Sequence, residues 1–206
     1  IMPSLVGSEM CIRDRFIAIA IPTHIKGTLT ALCGGVDGAR WQDSERMHLT
    51  LRFIGEVGVA MARDIDDVLY QIANPCFNIS LRGTGFFNER GLPRVLWAGV
   101  GDDTELRRLH KKIQHGLKAV GLKPEHRRFH PHVTLARLNG APLIEAEGYA
   151  ARYSEYKSPL FTVDRFCLVS SHLAREGAIY TIEAEYPLDP GVSYDCLLYT
   201  SPSPRD

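Results

Sequence analysis

The chain has 206 residues, of which 45% are hydrophobic and 23% charged, with a formal net charge of zero. That is enough for one well-cored domain and too short for two comfortable ones. The charge balance argues against a broad electropositive surface for gripping long nucleic acid, though not against a local basic pocket, and no apolar run approaches bilayer-spanning length.

In chain order, the ends differ from the middle. Residues 1–15 have apolar stretches broken by Pro3, Gly7, Ser8 and Glu9, which is not a signal-peptide layout, and residues 191–206 end in Thr-Ser-Pro-Ser-Pro-Arg-Asp. Both ends resemble translated sequencing-adapter read-through and read as non-native-looking or disordered tails, leaving residues 16–190 as the domain. Phe16–Ile21 reads as a strand ending at Pro22, and Thr23 can cap a helix reaching about Cys33. Gly34, Gly35 and Gly38 make a loop. Arg46–Ile54 is a strand closed by Gly55. Val59–Ala73 is a helix, with Ile65, Val68, Leu69 and Ile72 at helical spacing and Asn74-Pro75 as its stop. Phe77–Arg82 alternates as a strand, Gly83–Pro93 reads as a glycine-rich loop carrying Phe86 and Phe87, and Arg94–Val100 is a further strand. Asp102 or Asp103 caps the clearest helix, whose stripe is Leu106, Leu109, Ile113, Leu117 and Val120, with Gly121 as its stop. His132–Leu138 is a strand, Ala141–Lys157 is part helix, and Leu160–Ser170 and Ile179–Tyr186 are the last strands. The order predicts an α+β fold with helices outside antiparallel or mixed sheets.

The five cysteines, Cys11, Cys33, Cys76, Cys167 and Cys196, are scattered and form no C-x-x-C pair. This argues against a cysteine-type zinc site and a disulfide framework, and for free thiols in a reducing compartment, hence a cytoplasmic location.

One pattern occurs twice: His48-Leu49-Thr50-Leu51 and His132-Val133-Thr134-Leu135. In a strand, residues i and i+2 share a face, so His48 projects with Thr50 and His132 with Thr134, while the apolar partners point the other way. A single copy is a weak signal. Two copies, each after a helix and a loop, hint at an internal duplication with two similar lobes and a groove between them. Two imidazoles and two hydroxyls meeting there would supply an acid, a base and two neutral donors, a set suited to cleaving a phosphate ester without a metal.

With its flanks, the chain resembles the two-histidine (2H) phosphoesterases, specifically the bacterial and archaeal LigT-like RNA 2',3'-cyclic phosphodiesterases. Arg15 to Pro22 is similar to the family's first strand. Arg40-Trp41 before His48 to Glu56 is similar to its first motif region, Arg94-Val95-Leu96-Trp97 to its central strand, and Phe129 to Arg137 to its second motif. Ser170-Ser171 followed by Tyr180 also fits. The resemblance covers nearly all of Phe16 to Pro190 and implies a bilobal fold with no metal and no nucleotide cofactor.

The chemistry expected from these groups is hydrolysis of RNA 2',3'-cyclic phosphate ends or cyclic nucleotides. His48 is taken as the acid at the leaving 3'-oxygen and His132 as the base at water, with the reverse assignment nearly equal; Thr50 and Thr134 donate to non-bridging oxygens. Arg137 is a candidate for the phosphate, weighed evenly against a solvated strand end. Of the aromatics, Phe86 or Phe87 is expected to touch substrate, while Trp41 and Phe53 read as core. His130 reads as loop or support, and His24, His110, His115 and His126 as surface. The partners expected are RNA ends, with no membrane and a monomeric chain. The rivals are a phosphodiesterase for another small cyclic phosphate or a 2'-5' linkage, a non-catalytic RNA-end-binding module, and a histidine-ligated metal hydrolase.

Overall fold

Period-two alternation in the strands and 3.6-residue periodicity in the helices set which side chains go inward. The computed structural model describes residues 14–125, 127–174 and 177–190. The elements are β1 (Asp14–Ala20), α1 (Thr23–Thr30), β2 (Ala39–Trp41), a 3-10 turn (Ser44–Arg46), β3 (His48–Glu56), α2 (Val59–Tyr70), β4 (Phe77–Ile79), β5 (Leu81–Glu89), β6 (Leu92–Val100), α3 (Thr104–Ala119), β7 (His132–Leu138), α4 (Leu143–Arg152), β8 (Phe161–Val163), β9 (Arg165–Ala174) and β10 (Gly177–Pro187).

The main sheet runs β10-β9-β1-β3-β7-β6-β5, with β2 added against β7, and every neighbouring pair is antiparallel. A separate two-stranded sheet pairs β4 with β8. Helices pack on one face. The α3 stripe Leu106, Leu109, Ile113 and Leu117 is buried with Leu49, Leu51, Val133 and Leu135 from the strands, all at most 3% exposed. Burying each such side chain contributes roughly 1.5–3 kcal/mol. The side chains that alternate with them are left on the other face of the sheet, and that face carries the site.

The expected two lobes take the form of two half-sheets, β10-β9-β1-β3 and β7-β6-β5, which join at β3 and β7 through the single register pair Leu49↔Val133. These residues hold the same place in the two motifs. The pairing is therefore its own mirror: a local two-fold through it exchanges His48 with His132 and Thr50 with Thr134.

Two expectations need correction. Gly83–Pro93 is not a loop: β5 runs to Glu89 and turns to β6 at Arg90 and Gly91, both at positive φ (51° and 81°). Gly85, one of the glycines that suggested a loop, is there for another reason. Trp97 lies across Gly85 and Gly99, and a Cβ on Gly85 would collide with the indole Cη2 and Cζ2. The domain also starts earlier than Phe16. Asp14 and Arg15 are paired in β1, and Arg15 Nε donates to Glu183 at 2.6 Å, tying the first strand to the last. Residues 1–13 and 191–206, the remainder of the expected tails, lie outside the described residues.

Gly85→Ala is accordingly expected to destabilise the fold by about 1–3 kcal/mol, because overpacking must displace the indole. A thermal melt checks this, at roughly 2–4 °C per kcal/mol for a chain of this size.

Candidate active site

A backbone detail present in both motifs builds the site. Between Thr50 and Arg52 the β1–β3 register slips by one residue, and between Thr134 and Ala136 the β6–β7 register slips likewise. Leu51 and Leu135 are the extra residues, so each motif carries a β-bulge at its fourth residue. A bulge resets the alternation. The fifth residue after each histidine therefore returns to the histidine face: Phe53 after His48, Arg137 after His132. This settles the placement of Arg137, which strict alternation from Thr134 could not give. It also corrects the reading of Phe53 as core, since its side chain is 64% exposed.

A cavity of about 410 Å³ holds His48, Thr50, His132, Thr134 and Arg137 together, with Arg15, Arg46 and Gln42 around them and Ser171 and Tyr180 from the facing pair β9 and β10. Each motif histidine is held in the same way. His48 Nδ1 lies 2.8 Å from the Arg46 carbonyl oxygen and His132 Nδ1 2.7 Å from that of His130, two residues earlier in each case. A carbonyl only accepts, so Nδ1 carries a proton in both and Nε2 is left for substrate. Among the described residues neither motif threonine hydroxyl has a protein partner, so both can donate into the cavity.

The surroundings favour neutral imidazoles. His48 stacks on Phe16 at 4.8 Å and meets Tyr180 edge-on at 5.2 Å. Its pKa is pushed down to about 4, first by burial, then by the charges of His132 and Lys26, against the stabilising Arg46 carbonyl. His132 meets Phe87 edge-on at 4.9 Å. Its pKa is also lowered, first by burial and further by His130, against the His130 carbonyl.

Phe87 thus supports His132 and reaches the groove, whereas Phe86 packs into the main core and Trp41 packs on Tyr149 at 5.7 Å. His130 is exposed at the rim, 4.8 Å from the Trp97 ring. His110 departs from its surface reading: it stacks on Phe129 at 3.9 Å, and burial, with Arg52 and Arg107, pushes its pKa down to about 4. His24 and His115 are exposed as expected, and His126 lies outside the described residues. Cys33, Cys76 and Cys167 are free thiols; Cys11 and Cys196 lie outside the described residues. Among the described residues no group of three or more His, Cys, Asp or Glu side chains is gathered as a metal would need.

The sequence reading missed Arg46, Phe16 and the two carbonyls at the second position before each histidine. Duplication of the motif was the available signal for the carbonyls, since a shared strand geometry places them identically.

Residues 31–175 match the 2'-5' RNA ligase superfamily. The chain is 41% identical over 140 residues to an RNA 2',3'-cyclic phosphodiesterase of Aeropyrum pernix, covering 67% of this chain and 80% of the relative. It is 31% identical over 188 residues to one of Thermotoga maritima, covering 86% and 96%. A crystal structure of a Thermus thermophilus protein superposes with a TM-score of 0.69 at 26% identity, over 84% of this chain and 97% of that one. Apo LigT of E. coli superposes at 0.71 and 24% identity, over 86% and 98%, a likeness of fold.

Proposed function

This chain belongs to the 2'-5' RNA ligase superfamily, and from that premise we propose that it hydrolyses 2',3'-cyclic phosphate ends of RNA to 2'-phosphomonoesters. The observation that carries the reading is the two-fold pairing of β3 with β7, which turns two free Nε2 atoms and two free hydroxyls onto one cavity.

The cyclic phosphate sits between the histidines. His132 Nε2 takes a proton from water as its oxygen attacks phosphorus. The bond from phosphorus to the 3'-oxygen breaks, and His48 Nε2 gives that oxygen a proton. The products are a 3'-hydroxyl and a 2'-phosphate. Thr50 and Thr134 donate to the non-bridging oxygens as these gain charge. Arg137 offsets the charge of the phosphate, and Phe53 presents an exposed ring to the base. The local two-fold makes the reverse assignment of acid and base geometrically equivalent, and the position of the product phosphate separates the two for a given seating of the ribose. A 5'-hydroxyl in place of water gives a 2'-5' linkage by the same displacement, the kind of linkage that the superfamily's name carries.

No helix among the described residues is long and apolar enough to cross a membrane. We place the protein in the cytoplasm on its free thiols, and read it as a monomer because one chain supplies the whole site.

The test is incubation of the protein with nucleoside 2',3'-cyclic phosphates and a strong chelator, with phosphorus NMR of the product. Hydrolysis to a 2'-phosphate, undiminished by chelation, is expected. Activity lost on chelation and restored by zinc or manganese favours the metal-hydrolase rival, and binding without turnover favours the RNA-end-binding module.

The pH profile is expected to carry the mark of burial. The rate needs one neutral and one protonated imidazole, so kcat/KM is bell-shaped, with apparent values that belong to the pair. Both histidines are lowered in the free protein. Lower values mean that the base frees its lone pair at lower pH and the acid also loses its proton at lower pH. Both limbs therefore move to the acid side of the ordinary histidine value of about 6.5. Bound phosphate favours the imidazolium, so the kcat bell lies at higher pH than the kcat/KM bell. Coincident bells centred above neutrality would contradict the burial effect.

A further inference from the structure

A second cavity, about 460 Å³, continues from the first and shares Thr50, Phe53 and His132 with it. Its walls carry Arg52, Arg127, Arg128, His110 and His130 against one carboxylate, Glu125, which Arg52 already binds at 2.9 Å. Arg127 and Arg128 are exposed, and among the described residues neither forms an ion pair or a side-chain hydrogen bond. In a chain of zero net charge, two adjacent uncompensated guanidiniums beside a catalytic histidine are a local anion site. The wall behind them is fixed: Phe129 stacks on His110 at 3.9 Å, with the Arg107 guanidinium 5.9 Å from its ring.

The cavity on the His48 side differs. It is about 230 Å³, its walls are largely Ala18, Ala20, Ile21, Cys167, Val169 and Ile182, and its Lys26 faces Glu45 at 3.8 Å. A phosphodiester backbone is disfavoured there, because desolvating its charge has no uncompensated cation to offset it. A nucleotide ending in a 2',3'-cyclic phosphate has one neighbour in its strand, on its 5' side. With the cyclic phosphate between the histidines and Phe53 at the junction of the two cavities, that neighbour leaves along the His132 side.

We propose that Arg127 and Arg128 form a second phosphate subsite, which takes the phosphodiester 5' to the reacting nucleotide and makes the preferred substrate an RNA strand of two or more nucleotides. This rests on the hydrolase reading above. Phe87 and the Phe129–His110 stack line the same cavity and offer apolar surface to the penultimate base.

The test compares a nucleoside 2',3'-cyclic phosphate, a dinucleotide with the same cyclic end, and that dinucleotide with a neutral methylphosphonate linkage. The wild type is expected to show a KM roughly tenfold lower for the charged dinucleotide than for the other two, the size of one or two charge-assisted contacts at an exposed site. In the Arg127→Ala/Arg128→Ala variant the three KM values converge, while turnover of the mononucleotide is unchanged. The Arg127→Lys/Arg128→Lys variant retains most of the advantage and its salt dependence. Equal KM values in the wild type, or a charged-dinucleotide advantage that survives the double alanine variant, overturns the subsite while leaving the hydrolase intact. A wild type that cleaves none of the three overturns the hydrolase reading and the subsite with it.

Discussion

Alanine at either His48 or His132 is expected to lower kcat by about 10²–10⁴-fold, the usual contribution of one positioned acid or base. The two changes act on one proton-transfer pair. The double variant should therefore lose little more than the worse single one. Folding should survive, because both rings are half-buried at the groove and the apolar partners Leu49 and Val133, each 0% exposed, stay in the core. Single-turnover rates and thermal melts on the same preparations make the check. Full activity in either variant, with an intact fold, would sink the two-histidine mechanism. His48→Ala should also loosen its aromatic surroundings, since Phe16 and Tyr180 lie 5.3 Å apart with the imidazole against both.

Thr50→Val and Thr134→Val are expected to cost about 10²–10³-fold in kcat each, with KM changed much less. Valine keeps the shape and the strand propensity of threonine and removes only the donor. The non-bridging oxygens carry more charge in the transition state than in bound substrate, so a lost donor is felt mainly in kcat. Serine restores the hydroxyl and should recover most of the rate. If valine raises KM and leaves kcat alone, the threonines only bind substrate. The register makes the comparison informative: Ala18 pairs with Thr50 and Trp97 with Thr134, so the two donors sit at equivalent places beside unequal neighbours.

Much of this was legible in the residues, because it depends on local periodicity. His48 with Thr50, and His132 with Thr134, share a face by strand alternation alone. The same alternation sends Leu49 and Val133 to the core, and the helical stripe of α3 is written at 3.6-residue spacing. The duplicated motif announced a paired site without any knowledge of where the strands lie. Other features needed the third dimension. Gly83, Gly85 and Gly91 look like loop residues in sequence, yet the Gly85 position is a strand residue kept bare by the Trp97 ring from the neighbouring strand. Arg137 and Phe53 reach the groove only because a bulge at Leu135 and at Leu51 shifts the alternation, and a bulge is a property of two strands in register. Arg127 and Arg128 line a cavity whose wall Phe87, from another part of the chain, completes. The sequence by itself determined which side chains share a face within an unbroken run of strand or helix, since that follows from the geometry of one element. Tertiary structure alone decided which faces meet, because the register between strands and the space left between rings are set by chain segments remote from one another.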